Sequence, residues 1–277
     1  FLCDWTFGTI YTCDLVENGS SYTGTVTEFL SGSPLSIAAM RFGPNGHMYF
    51  LVGGRNTASK LYRVRYTGPA QPPTARRATT QQALRDLRHA LEAYHDGGRG
   101  GAAAVEAAWP HLSHADRSLR YAARLAIENQ PVALWQEKVL TATDPRTVIH
   151  GVLALCRHGS KTLTSRVLAQ LAKVPFADLS PEDRLALLRA YSLCFLRLDP
   201  PTAAEVAAVV ATLDPLYPAG DERIDAELCR VLSHLDAEQV VPKTIALMQA
   251  TATKALAYDK AMLARHEYGE AILKAMA

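Results

Sequence analysis

The feature that most constrains this chain is a change of hydrophobic period near residue 80. Up to Tyr66 the apolar residues alternate in short runs, whereas from Gln81 onward they recur every three to four residues and continue to do so. A period of two belongs to strands and a period of 3.6 to helices, so a sheet-forming segment must precede a long helical one. Between them, Gly68 to Thr80 (GPAQPPTARRATT) has prolines and no apolar period, and reads as a linker in which Arg76 and Arg77 are solvated.

The helical part is organised around Pro110 to Leu140, PHLSHADRSLRYAARLAIENQPVALWQEKVL. Leu119, Ala122, Ala123, Ala126 and Ile127 fall on one narrow helical face, and their small size lets a neighbouring helix approach closely. Arg117 and Glu128 fall outside this face and are expected to tolerate alanine. Ser113 with Asp116 has the spacing of a capping box, Asp116 and Arg120 can pair along the helix surface, and Asn129–Pro131 turns the chain into a second helix. Such a unit cannot bury its apolar face alone and needs copies of itself on either side.

The rest of the segment supplies them. Helices are expected at about 102–109, 115–129, 132–141, 145–158, 161–173, 181–197, 202–213, 222–235, 239–250 and 255–276. Ser180-Pro181-Glu182-Asp183 offers an N-cap, a proline at the first helical position and acids in the first turn, and Thr202 with Glu205 forms a capping box. Helix pairs recurring at this spacing are expected to build a HEAT-like α-solenoid over residues 81–277.

In the first part, runs at Thr9–Asp14, Tyr22–Phe29, Ala38–Phe42, His47–Val52 and Leu61–Tyr66 read as about five short strands. Asn45-Gly46 and Asn18-Gly19 are expected to make type I′ hairpin turns, with positive φ at both central residues. Five short strands make too little sheet to close a core of their own.

The composition excludes some classes. A net charge of +2, with 7 basic and 4 acidic residues up to residue 80 and 22 and 23 after it, supplies no concentrated basic face for nucleic acid. No stretch is long and apolar enough for a membrane span. The five cysteines lack any CxxC or CxxCH spacing, so neither a zinc knuckle nor covalent haem attachment within this chain is indicated. Cys156, Cys194 and Cys229 sit in apolar helical runs and read as buried thiols. Cys3 and Cys13 flank a hairpin and are candidates for pairing only in an oxidising compartment.

The strand region carries a resemblance. Phe42-Gly43-Pro44-Asn45-Gly46-His47-Met48-Tyr49-Phe50, then Gly53-Gly54-Arg55, then Leu61-Tyr62-Arg63-Val64, resembles a blade of the six-bladed propellers of quinoprotein sugar dehydrogenases, in particular the sorbosone-dehydrogenase-like branch. Asp4 to Tyr11 resembles the hairpin of the blade before it. The resemblance implies a β-plus-α multidomain chain, with a partial β-propeller over residues 1–67, the linker at 68–80 and a HEAT-type region over 81–277. It also implies a periplasmic or otherwise extracytoplasmic bacterial parent, in which a c-type cytochrome domain often follows. A chain that opens within a strand and ends in the apolar period of Tyr268–Ala277 is expected to be a segment of such a parent.

The quinone-binding members hold the carboxylates of pyrroloquinoline quinone (PQQ) with arginines. Before the GPNG turn this chain offers Arg41 alone, since Ser36, Ala38 and Ala39 cannot form a charged fork. The expectation is therefore a non-catalytic scaffold without catalytic residues or a metal site. Its helical surface is expected to meet other domains of the parent or a protein partner. In the rival reading, part of a PQQ-dependent sugar or alcohol dehydrogenase, Arg55 with Asp4 and Trp5 lines the rim of the cofactor site. Arg55 otherwise reads as a structural arginine bonded to the neighbouring blade. Elsewhere, His111 and His114 read as surface or capping residues, Trp109 and Trp135 as filling between helices, and Asp221, Glu222, Asp225 and Glu227 as an acidic helix start.

Overall fold

The computed structural model describes residues 1–54, 57–69, 81–97, 99–250, 260–264 and 267–275. The chain divides into two compact units. One comprises Phe1–Asn18, Tyr22–Thr80 and Lys254–Ala277, and the other comprises Gln81–Thr253 with Gly19–Ser21. The expected linker falls mostly outside the described residues.

The first unit holds two three-stranded antiparallel sheets. Strands β1 (Leu2–Asp4), β2 (Thr9–Asn18) and β3 (Ser21–Ser31) form one, and β4 (Ile37–Phe42), β5 (Met48–Gly54) and β6 (Thr57–Val64) form the other. The unexpected sixth strand is β1, which is too short to show an alternating pattern and is defined by its pairing of Leu2 with Tyr11, Cys3 with Ile10 and Asp4 with Thr9. That register sets Ile10, not Cys13, opposite Cys3, and both thiols are free.

Met48, Phe50 and Val52 alternate along β5 and join Ile10 and Ile37 in a small core, where Phe50 also stacks on Tyr62 at 5.0 Å. The β4–β5 turn differs from the expected type I′. The amide of Gly46 donates to the carbonyl of Gly43 at 2.9 Å, so Pro44 and Asn45 are the central pair. Pro44 fixes a negative φ there, and only Gly46 takes the left-handed region, at +73°. At the β2–β3 turn Gly19 likewise has φ +60°, with Asn18 outside that region. Two further helices of this unit, α11 (Lys260–Leu263) and α12 (Glu267–Ala275), pack on each other where one helix over 255–276 was expected.

The second unit is helical: α1 (Gln82–Glu92), α2 (Gly101–Ala108), α3 (Arg117–Glu128), α4 (Gln136–Leu140), α5 (Pro145–His158), α6 (Thr164–Leu171), α7 (Pro181–Arg197), α8 (Ala203–Leu213), α9 (Glu222–His234) and α10 (Val240–Ala250). Contacts follow an alternating rule. α1 packs on α3, α3 on α5, α5 on α7 and α7 on α9, while α4 packs on α6 and α6 on α8. Each of α2, α4, α6 and α8 also lies against the odd-numbered helix that follows it.

The helix starts explain the boundaries. Asp144 accepts from the amide of Thr147 at 2.8 Å with Pro145 at the first position, and Ser180 caps α7. Thr202 and Glu205 make the reciprocal capping box at α8, and Asp221 caps the acidic start of α9. Helix α3 departs from expectation: Asp116 is itself the N-cap, accepting from the amides of Ser118 and Leu119, so the helix starts later and no box forms with Ser113. Arg120 consequently donates through Nη1 to the carbonyls of His114 and Ala115 instead of lying along the helix beside Asp116.

Leu119, Ala122, Ala123, Ala126 and Ile127 are all buried, as their spacing requires. Trp135 is fully buried, and its indole donates to the carbonyl of Gln130 at 3.1 Å.

Candidate interaction surface

Asp4 ends β1 and Trp5 opens the turn after it. One oxygen of Asp4 accepts from the amides of Thr6 and Phe7, at 2.9 and 3.0 Å, and so holds the turn. The indole of Trp5 donates to the carbonyl of Gly53 at 2.9 Å and lies against Gly54, whose φ is +103°. A side chain at Gly54 would start 3.2 Å from the indole ring. Trp5 thus meets the end of β5, next in sequence to Arg55, which lies outside the described residues. Arg41 is exposed on β4, opposite Tyr49. Asp4 and Trp5 do not fit a quinone tricarboxylate: Asp4 brings a like charge already engaged by two amides, and Trp5 is a strut between strand ends.

In the helical unit, a second set of polar residues lies along the seam of α3 and α5. Arg117, Tyr121, Arg124 and Glu128 follow one stripe of α3, and Arg146, His150 and Arg157 follow one stripe of α5. The two helices run parallel. At their C-terminal ends the carboxylate of Glu128 meets Arg124 at 3.0 Å, Arg157 at 3.4 Å and His158 at 3.4 Å. Toward the N-terminal ends Arg120 of α3 lies within electrostatic reach of Arg117 and of Arg146 of α5, and His150 of α5 within reach of Arg120 and Arg124. On the far side of α5, Arg146 donates to Asp183 of α7 at 2.8 Å. The amide of Asp199, beyond α7, donates to the carbonyl of Lys161, beyond α5, at 3.0 Å and keeps these two helices parallel as well.

Glu128 corrects an expectation, because its side chain is 2% exposed and it neutralises cations from two helices. The seam still carries more cation than anion. Burial pushes the imidazole of His150 down to about 4, helped by the guanidinium groups of Arg120 and Arg124, so it is neutral near pH 7. Burial also lowers Arg120, with Arg146 adding to the effect against the opposing pull of Asp183 and Asp116. Arg124 is lowered by burial and by Arg157 against the pull of Glu128, and its guanidinium lies 5.3 Å from the ring centre of Tyr121.

The remaining candidates hold structure. His114 accepts from the amide of Asp116 through Nδ1 at 2.9 Å, and Trp109 lies under the ammonium of Lys138. Asp225 accepts from the amide of Ala219 at 2.5 Å. A groove of about 270 Å³ between α6 and α8, lined by Leu168, Ala172, Val209 and Thr212 among others, is mostly apolar. Among the described residues no helix is long and apolar enough to cross a membrane.

Comparison with protein-family models, curated proteins and solved structures finds no match for this chain. Sequence reasoning missed His150, Arg124 and Arg146. Their signal was present in the repeated polar spacing of α3 and α5, but it is legible only once the two helices are known to lie side by side.

Proposed function

We propose that this chain is a non-catalytic interaction segment of a larger extracytoplasmic bacterial protein, pairing part of a β-propeller with a HEAT-like α-solenoid. The observation that carries the reading is the alternating contact rule of α1 to α9, with odd-numbered helices stacked on one another and a second layer behind them. Nearest-neighbour stacking of helix pairs is how a solenoid gains stability and presents an extended binding surface. The two three-stranded antiparallel sheets support the other half, since each corresponds to three of the four strands of a propeller blade. The surface offered to a partner is the α3–α5 seam, where ionisable groups gather on successive helices.

The resemblance extends the proposal to the parent, an electron-transfer protein in which a c-type haem follows the helical unit and this unit is the spacer. Against the dehydrogenase reading stand the engaged carboxylate of Asp4 and the structural bond of Trp5. The test is to titrate the protein with PQQ and calcium and to follow sugar-dependent dye reduction. No reduction above the cofactor blank is expected. Reduction that disappears in Arg55→Ala would replace the scaffold reading with the enzyme.

A further inference from the structure

We propose that the seam between α3 and α5 docks an acidic segment of a protein partner, taking two or more of its carboxylates between Arg117, Arg146 and Arg157. The inference rests on the interaction-segment reading and names the chemistry of the partner.

Charge balance is the first argument. Arg120 lies within electrostatic reach of Arg117 and Arg146, Arg124 within reach of Arg157, and His150 joins the two sets through Arg120, Arg124 and Arg146. Among the described residues, the carboxylates that act on Arg120, Arg124 and His150 are Asp116, Glu128 and Asp183. Asp116 already caps α3, Asp183 accepts from Arg146 and Ser180, and Glu128 sits beneath the surface between Arg124 and Arg157. The internal anions are therefore committed, and a positive excess faces outward. Like charges held at this spacing repel, and an external pair of carboxylates relieves that repulsion.

Satisfaction of polar groups is the second argument. Arg120 is 8% exposed, and its Nε has no hydrogen-bond partner although Nη1 has two. The Nδ1 of His150 is likewise buried without a partner. Native interiors rarely leave such groups unmet, and an anion on the seam lowers the electrostatic cost of burying the Arg120 charge.

The accessible part of the seam fits a polypeptide in scale. The side chains of Arg146 and Arg157 are 35% and 42% exposed, and Tyr121 is 53% exposed. The stripe from Arg117 to Glu128 runs roughly 16 Å along α3, about the length of five extended residues. Tyr121 adds a rigid amphipathic contact of the kind enriched where proteins meet. Nucleic acid fits less well, because tight binding to phosphates draws on about six to ten cation contacts and the seam exposes fewer.

The experiment uses the whole chain and a fluorescein-labelled hexaglutamate peptide, followed by anisotropy at about 20 mM and about 200 mM salt. Hexaglutamine and a single-stranded oligonucleotide of equal charge serve as comparison probes. Hexaglutamate is expected to bind, to weaken with salt, and to bind roughly tenfold or more weakly to Arg117→Glu/Arg146→Glu. Arg223→Glu/Arg230→Glu, an equal charge change on α9, is expected to bind as the parent chain does. Circular dichroism melts check that the variants fold. On the unmodified chain, peptide addition is expected to raise the NMR titration midpoint of the His150 ring. Equal binding of hexaglutamine, equal binding by the double variant, or an unmoved His150 midpoint would overturn the proposal. Tighter binding of the oligonucleotide would replace the acidic segment with nucleic acid. Sugar-dependent dye reduction bears on the scaffold reading alone, so the two failures are distinguishable.

Discussion

The indole nitrogen of Trp5 donates to the carbonyl oxygen of Gly53 at 2.9 Å, joining the turn after the first strand of one sheet to the end of the middle strand of the other. This bond explains why the two glycines stand together: Gly53 offers its carbonyl, and Gly54 leaves room for the ring at a backbone angle that side chains resist. Trp5→Phe keeps most of the ring contact but loses the donor, and is expected to cost about 1 kcal/mol. Trp5→Ala removes both, and is expected to cost about 2–3 kcal/mol. Denaturant melts of the three proteins check the order. A Phe variant as unstable as the Ala variant would show that the hydrogen bond, not the ring, holds the sheets.

Neighbouring residues on α3 separate charge burial from apolar burial. Ile127 is 1% exposed, so Ile127→Asp places an unpaired charge in the core and is expected to cost on the order of 3 kcal/mol or more. Glu128→Ala strands Arg124 and Arg157 without their shared anion and is expected to cost about 3 kcal/mol. Arg117→Ala is expected to fall within about 0.5 kcal/mol of the parent chain. Urea midpoints at constant slope give the comparison. A Glu128→Ala protein as stable as Arg117→Ala would mean that the pocket around Glu128 is wet.

The His150 environment makes stability depend on pH in a definite direction. Its ring titrates near 6.5 when the chain is unfolded and at about 4 when folded, facing Arg120, Arg124, Arg146 and Asp183. Between these values the unfolded chain binds the extra proton, so the stabilisation is complete above about pH 6.5 and is lost as pH falls through the folded value. Roughly 2 kcal/mol is expected to go between pH 6.5 and about 5, a window in which ordinary carboxylates stay ionised. His111, lowered by burial and by His114, adds in the same direction. Melts of His150→Gln are expected to show a shallower fall over this window, and a slope equal to that of the parent chain would remove His150 as the cause.

Much of this structure is written in local sequence. The apolar period of α3 and the caps at Ser180, Thr202 and Asp221 can be recognised one element at a time, because each is decided by residues within four positions. Glu128 and His150 could not be placed that way. Whether a polar residue on a helix is exposed depends on which helix lies beside it, and α5 brings Arg157 over Glu128 from far along the chain. The β4–β5 turn failed for a different reason: Asn45-Gly46 outweighed Pro44, although proline fixes its own φ and so decides the turn type. Strand β1 was missed because a three-residue strand has no period to read.

The units differ in how far each can stand alone, and this gives the last prediction. The core of the strand segment consists of five fully buried apolar residues, Ile10, Ile37, Met48, Phe50 and Val52. At about 2 kcal/mol for each such side chain, that is too little to offset the ordering of more than sixty residues at about 1–2 kcal/mol each. The helical unit buries one continuous cluster from Leu91 to Val240, with contacts mostly between adjacent helices. Residues 81–253 expressed alone are therefore expected to melt cooperatively with full helical circular dichroism, whereas residues 1–69 alone are expected to show no cooperative transition. Because stacked helices share their stability with neighbours, removing α9 and α10 is expected to lower the melting temperature of the remainder without abolishing its transition. A cooperative monomeric transition for residues 1–69 would mean that the two sheets close a core by themselves, and the partial-propeller reading would fail with it.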